Sequence, residues 1–392
     1  MRIENSIQSR ISISLSGAAK QICTVSIVLL FAIGMVLPWG MAHAGAVFIP
    51  PVDNPIKWHP GHYVTLVSPG PNNPWYMEQV YSELKENPAL QGITIRYRWS
   101  ELESAKGVYD FSAIDEHLKE LAIHKKRLII LLELRSSVEY LQAELVPDYV
   151  KAGILYEGGV FPYSGSRSTD IKGYNIKLWN PLVRDRLAAL MRELGNRFNS
   201  HPYFEGVGLT ETSMGKPLIT LSNAEIDGYY KNMISINQQM RQYFPNTMVF
   251  QFINYPRQLI ESFVNNMKET GIALGCPDVF LDEPGLFYDA AKNPPKGIYS
   301  YYPELSGQIP LTIQIEKANY ENTRYDGKGY QPTISELLAF ARHKLDVNYI
   351  FWTRSPDYFS GVLEVMGWKN QTRDAAGGLN SACPSSYFAC VD

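Results

Sequence analysis

The stretch Gly206-Val-Gly-Leu-Thr-Glu211, then residues 222–243, then Met248-Val-Phe-Gln-Phe-Ile-Asn254 decides how this chain folds. Two short apolar runs flank a long segment of helical spacing, so the unit reads strand, helix, strand. The same alternation extends outward in both directions. Runs at 62–67, 93–99 and 127–134 precede it, and runs at 279–282, 311–316 and 349–353 follow it. Helical stretches lie between most of them. Residues 73–86 open with Asn-Asn-Pro, a cap and a first-turn proline. Residues 112–125 place Ile114, Leu118 and Leu121 on one face, and 181–198 repeat Val183, Leu187, Leu190 and Leu194 at helical spacing. Residues 257–270 and 335–345 complete the set, while the Pro/Gly/Tyr-rich 285–308 reads as a long loop.

Eight strands alternating with helices predict an α/β protein with a single (β/α)8 TIM barrel over residues 45–392, with enlarged loops at the C-terminal strand ends. A doubly wound open sheet binding a dinucleotide would show a Gly-rich turn after its first strand. Here that strand leads into Ser68-Pro69-Gly70-Pro71, whose prolines cannot offer a row of N–H groups to a phosphate. Gly215-Lys216 lacks the preceding P-loop glycines, and no GxSxG elbow is present, so nucleotide binding and serine hydrolysis are disfavoured.

Composition narrows the class further. The 392 residues carry 36 basic and 39 acidic side chains, a net charge of −3, which excludes a basic nucleic-acid binder. Arg2, Arg10 and Lys20 precede an apolar run at 22–37, and Ala42-His43-Ala44 follows it. That order reads as a secretory signal over residues 1–44, with cleavage expected before Gly45. Sixteen helical residues at about 1.5 Å each are too short for a bilayer core of about 30 Å. The mature chain is expected to be secreted or periplasmic, without stable membrane insertion. In an oxidising compartment Cys383 and Cys390 are expected to form a disulfide, leaving Cys276 reduced. No CxxC, HExxH or paired-His pattern points to a metal, and no cofactor is expected.

Active sites of such barrels sit at the C-terminal strand ends. The second strand ends in Arg96, Arg98 and Trp99, and the third in Glu133 and Arg135. The fourth ends in Thr210 and Glu211, the fifth in Asn254 and Tyr255, and the sixth in Asp282 and Glu283. The seventh ends in Gln314 and Glu316, and the eighth carries Trp352 and Arg354. Alternation predicts that Leu311, Ile313 and Ile315 meet the helices while Thr312, Gln314 and Glu316 point inward. In the second strand Ile93, Ile95 and Tyr97 face out, and Thr94, Arg96 and Arg98 face in.

The segment Trp99-Ser-Glu-Leu-Glu103-Ser-Ala-Lys-Gly107-Val-Tyr109-Asp110-Phe111-Ser-Ala-Ile-Asp115 resembles the signature W-x-x-(I/L)-E-P-x-x-G-x-Y-x-F-x-x-(I/L)-D. That signature follows the second strand in many retaining glycoside hydrolases of clan A. Ser104 stands where the pattern has Pro. Trp179-Asn180-Pro181 and His201-Pro-Tyr-Phe-Glu-Gly-Val207 look like the clan's approach to strand four. The resemblance implies Glu211 as acid/base and Glu316 as nucleophile. It further implies Arg98 as the support of that nucleophile, and Trp352 as a sugar platform. Thr210 stands where the clan has an Asn that binds the sugar's 2-hydroxyl.

The chemistry is consistent with that implication. Cleaving a glycosidic bond with retention needs one protonated and one ionised carboxyl about 5–5.5 Å apart. An arginine beside Glu316 would favour its charged form. Glu133 and Glu283 are the next carboxyls in line. Trp99, Trp352, Tyr255, Tyr301 and Tyr302 are the aromatic faces available to pyranose rings, and Asn254 and Thr210 the nearby polar contacts. The expected function is therefore hydrolysis of an oligo- or polysaccharide, with carbohydrate as the partner. Two alternatives use the same barrel: a carbohydrate-binding pseudoenzyme, favoured by Thr210, and an envelope or polysaccharide-export scaffold.

Overall fold

The computed structural model describes residues 54–66, 70–136, 142–165 and 168–392. The expected signal segment, 1–44, lies outside them. Contacts divide the chain into Met1–Val47 and Phe48–Asp392, and every described residue falls in the second unit.

Eight parallel strands close a barrel: β1 (Gly61–Leu66), β2 (Leu90–Tyr97), β3 (Arg127–Leu132), β4 (Phe204–Leu209), β5 (Met248–Phe252), β6 (Ala273–Cys276), β7 (Leu311–Ile315) and β8 (Tyr349–Thr353). Each pairs with its sequence neighbours, and β8 pairs with β1 to close the ring. Around it run α1 (Pro74–Glu86), α2 (Ser112–Ile123), α3 (Pro181–Phe198), α4 (Asn223–Tyr243), α5 (Arg257–Thr270), α6 (Ile334–Ala339) and α7 (Phe359–Met366). Local sequence sets their starts. Asn180 Oδ1 accepts from the N–H groups of Leu182 and Val183, with Pro181 at the first helical position of α3. Ser222 and Glu225 form a capping box on α4.

The period of two along each strand sorts the core into two layers. Tyr63, Ile129, Leu131, Phe250, Phe252, Tyr349 and Phe351 fill the barrel interior. Ile93, Ile95, Ile130, Leu311, Ile313 and Ile315 face outward and pack with Leu118, Leu187, Leu190 and Met233 of the helices.

The sixth strand differs from the sequence expectation. It is Ala273–Cys276, paired to β7 at Leu274↔Leu311, and the run at 279–282 lies in the loop beyond it. Intrinsic β preference favours Val-Phe-Leu over Ala-Leu-Gly-Cys, but interior space decides here. A Cβ at Gly275 would stand 2.5 Å from the Phe252 ring and 2.7 Å from Thr312 Oγ1, so only glycine fits between these neighbours.

The N-terminal end of the barrel is sealed. Ile56–Lys57 pairs in parallel with Cys390–Val391, and Trp58 and Tyr387 join the interior cluster. Trp58 meets Tyr349 edge-on, with ring centroids 5.4 Å apart. Buried Glu205 accepts from the His59 N–H, from His59 Nδ1 and from the Tyr349 hydroxyl, each at 2.8 Å. Cys383 and Cys390 are joined in a disulfide with Cα atoms 5.8 Å apart, and Cys276 is a buried free thiol. At the opposite end, loops following β3 and β4 build a small antiparallel sheet of Val160–Ser164, Gly173–Ile176 and Lys216–Pro217. No helix among the described residues is long and apolar enough to cross a membrane.

Candidate active site

The C-terminal strand ends open into a cavity of about 800 Å³. Glu211 and Glu316 both line it, as do Asn254, Tyr255 and Glu283. Glu316 directly follows β7 and caps the short helix Lys317–Glu321, its N–H donating to Asn319 Oδ1 at 2.7 Å. Its carboxylate accepts from Arg96 and Gln314 at Oε1, and from Thr353 Oγ1 at 3.4 Å at Oε2. Glu211, two residues past β4, accepts from Arg135 Nη1 at 3.0 Å. Arg135 also donates to the Ser213 carbonyl at 2.9 Å and lies 4.1 Å from the Tyr163 ring centroid. Each glutamate is thus held by an arginine from a different strand end.

Asp278, two residues beyond β6, is a further acid in the cavity. Burial raises its carboxyl from 3.8 to about 7; the negative charges of Glu316 and Glu211 add to the rise, and the amides of Asn254 and Asn319 oppose it. Asp278 therefore keeps its proton up to the neutral range. Sequence reading missed Asp278 because it placed the sixth strand too late. The apolar run Ile272–Cys276 between Gly271 and Pro277 was the available signal.

Between about pH 4 and pH 7 folded Asp278 holds a proton that the unfolded chain has lost. This group's contribution to stability is therefore full at low pH and declines as pH rises toward 7. Asp278→Asn should remove that slope. The variant is expected to gain up to about 3 kcal/mol relative to wild type between pH 4.5 and pH 8, read from urea midpoints. A pH-independent difference would contradict the assignment.

Several expected contacts sit elsewhere. Arg98 does not support Glu316; β2 ends at Tyr97, so Arg98 has left the strand's alternation. It binds Glu101 at 2.7 Å and Glu144, and Arg96 takes the place beside Glu316. Trp352 is fully buried and shares the outward face with Ile350, its indole donating to His62 Nδ1 at 3.0 Å. It offers no face to a sugar; its neighbour Thr353 points inward instead. Trp99 is equally buried, donating to Glu103 at 2.7 Å. Tyr301 and Tyr302 are core residues, with the Tyr302 hydroxyl on the Thr312 carbonyl. Thr210 is buried and accepts the Leu134 N–H at 2.9 Å, so its hydroxyl serves strand three.

Glu133 directly follows β3 and does not line the cavity; burial raises its carboxyl while Arg96 and Arg98 oppose the rise. Glu283 lies seven residues beyond β6, not at a strand end, yet reaches the cavity. Its Oε2 accepts the Tyr325 N–H at 3.0 Å and its Oε1 the Gly285 N–H at 3.3 Å. Tyr325, two-thirds exposed at the rim, is an aromatic face that loop composition alone did not single out. Among the described residues no group of three or more His, Cys, Asp or Glu side chains is placed to hold a metal.

An eight-stranded parallel barrel whose C-terminal mouth gathers arginine-paired carboxyls defines the structural class. No family model matches the chain. No curated protein matches it. Among solved structures it is similar to the catalytic domain of β-amylase from Paenibacillus polymyxa, at 9% identity and a TM-score of 0.53, covering 79% of this chain and 98% of that one. It is also similar to β-galactosidase from the psychrophilic Marinomonas ef1, at 10% identity and a TM-score of 0.50, covering 75% of this chain and 54% of that one. At these identities the likeness is one of fold.

Proposed function

We propose that this protein is an exported glycoside hydrolase acting on an oligo- or polysaccharide by a retaining two-glutamate mechanism. The observation that carries the reading is the placement of Glu211 and Glu316 in one cavity, each fixed by an arginine from another strand end. Glu316, with Arg96, Gln314 and Thr353 donating to it, is a carboxylate held in a fixed orientation, suited to attack an anomeric carbon. Glu211 protonates the leaving oxygen and then draws the proton from water. Tyr255 and Tyr325 are the aromatic walls. The similarity in fold to β-amylase and β-galactosidase supports the reaction class. The charged, apolar, small-residue order of residues 1–44 supports export.

Hydrolysis of a polysaccharide panel, with product size and anomeric configuration analysed, tests the reading. Cleavage with retention is expected. Two features favour a second reading, glycan binding without turnover. Arg135 pairs with the residue that must deliver the proton, and the Thr210 hydroxyl is turned toward strand three. Binding without product from any panel member would select that alternative.

A further inference from the structure

The small sheet at the cavity mouth carries an unusual row. Lys216 is the register partner of Ser164, and Tyr163 is the partner of Gly173. One step further along that register, Lys172 lies opposite Ser164 on its other side, its N–H donating to the Tyr163 carbonyl at 2.8 Å. Lys172, Ser164 and Lys216 therefore lie side by side across three strands. Residues aligned across a sheet project to one face, and all three line the cavity. Two strand spacings put the lysine backbones about 10 Å apart, within reach of a common point above the serine.

The two exposed ammonium groups give the row a positive potential that an anion between them would complement. Lysine ion pairs among the described residues involve Lys151, Lys177, Lys296 and Lys317, and neither of these two. The nearest acids are already engaged: Glu211 by Arg135, and Glu283 by the N–H groups of Tyr325 and Gly285. Lys172 Nζ makes a long 3.5 Å contact to the Tyr325 hydroxyl, which places it at the rim where a ring would stack.

Resting on the glycosidase reading, we infer that the Lys172–Ser164–Lys216 row is a subsite for an anionic substituent, so that the substrate is an acidic glycan bearing carboxylate or sulfate groups. The row stands on the β3 and β4 side of the mouth, beside Glu211, so the charged sugar is the one bound next to that residue. The Ser164 hydroxyl, whose present contact to the Lys216 carbonyl is a long 3.5 Å, turns to donate to the anion between the two ammonium groups.

The test is binding of hexuronate oligosaccharides and sulfated oligosaccharides, each paired with its carboxyl-reduced or desulfated counterpart. Calorimetry would be run on wild type and on Glu316→Gln, at low and high salt. At low salt the acidic member of at least one pair should bind on the order of tenfold tighter than its neutral partner. That gain should shrink with salt and vanish in Lys172→Gln/Lys216→Gln, whose affinity for the neutral partner stays within twofold. The series showing the lysine-dependent gain identifies the anion. Equal affinities within every pair, a preference that survives the double variant, or no binding by any acidic member would overturn the inference. Cleavage of neutral glycans without acidic preference would sink it and leave the hydrolase reading standing. Lysine-dependent binding of an acidic glycan that is never cleaved would do the reverse.

Discussion

Glu316→Ala should lower turnover of an activated substrate on the order of 10³-fold or more, because it removes the group that forms the new bond. Glu316→Gln should be as inactive and should keep the Arg96 and Thr353 contacts, which separates lost chemistry from lost fold. Azide added to Glu316→Ala should restore cleavage and give a glycosyl azide of inverted configuration, since the small anion enters from the vacated face. Glu211→Ala should behave differently. Substrates with poor leaving groups should slow most, because they depend on protonation. Azide should there give a product of retained configuration, since Glu316 still forms the intermediate. A carboxyl separation of about 5–5.5 Å fits this scheme, and one beyond about 6.5 Å points to inversion or to another residue pair. Asp278 is then the first residue to test, because it shares the cavity with both glutamates. Wild-type activity surviving in both variants would end the assignment.

Much of this arrangement was legible from alternation alone. Leu311, Ile313 and Ile315 face the helices, and Gln314 and Glu316 meet across the mouth from Arg96, as a period of two requires. The same rule could have placed Trp352, which shares parity with Ile350 and so belongs to the outer layer. Resemblance pointed to Trp352 as a platform, and parity was the better guide. Arg98 and Trp99 failed for a different reason. Alternation holds only while the strand lasts, and β2 stops at Tyr97 before a turn of helix. Asp278 was hidden by a propensity error one strand long. Lys172, Lys216 and Tyr325 were not legible at all, because loop residues meet only after the barrel has brought distant connections to one mouth.

Glu103→Ala should cost about 3–5 kcal/mol, a large part of a stability of about 5–15 kcal/mol. The Trp-x-x-Leu-Glu stretch that resembles a hydrolase signature builds a buried knot, not a substrate contact. Glu103 is fully buried; its Oε2 accepts from the Trp99 indole at 2.7 Å and the Tyr149 hydroxyl at 3.0 Å. Its Oε1 accepts from the Gly107 N–H at 2.7 Å and from Arg186 of α3. Arg186 in turn donates to Tyr149 at 3.0 Å and Tyr109 at 3.2 Å. One carboxylate therefore ties the turn after β2, the hairpin around Gly107 and helix α3 together. Removing it leaves the Arg186 guanidinium without its counter-charge and the Trp99 indole N–H without its acceptor, which is the expensive way to break a buried pair. Glu103→Gln keeps two acceptor contacts and should lose less. The Glu103→Leu/Arg186→Met double variant removes both charges and should recover most of the loss. Urea denaturation of the three proteins reads these differences directly. A double variant no more stable than Glu103→Ala would show that the loss lies in packing around Trp99, with the stranded charge contributing little.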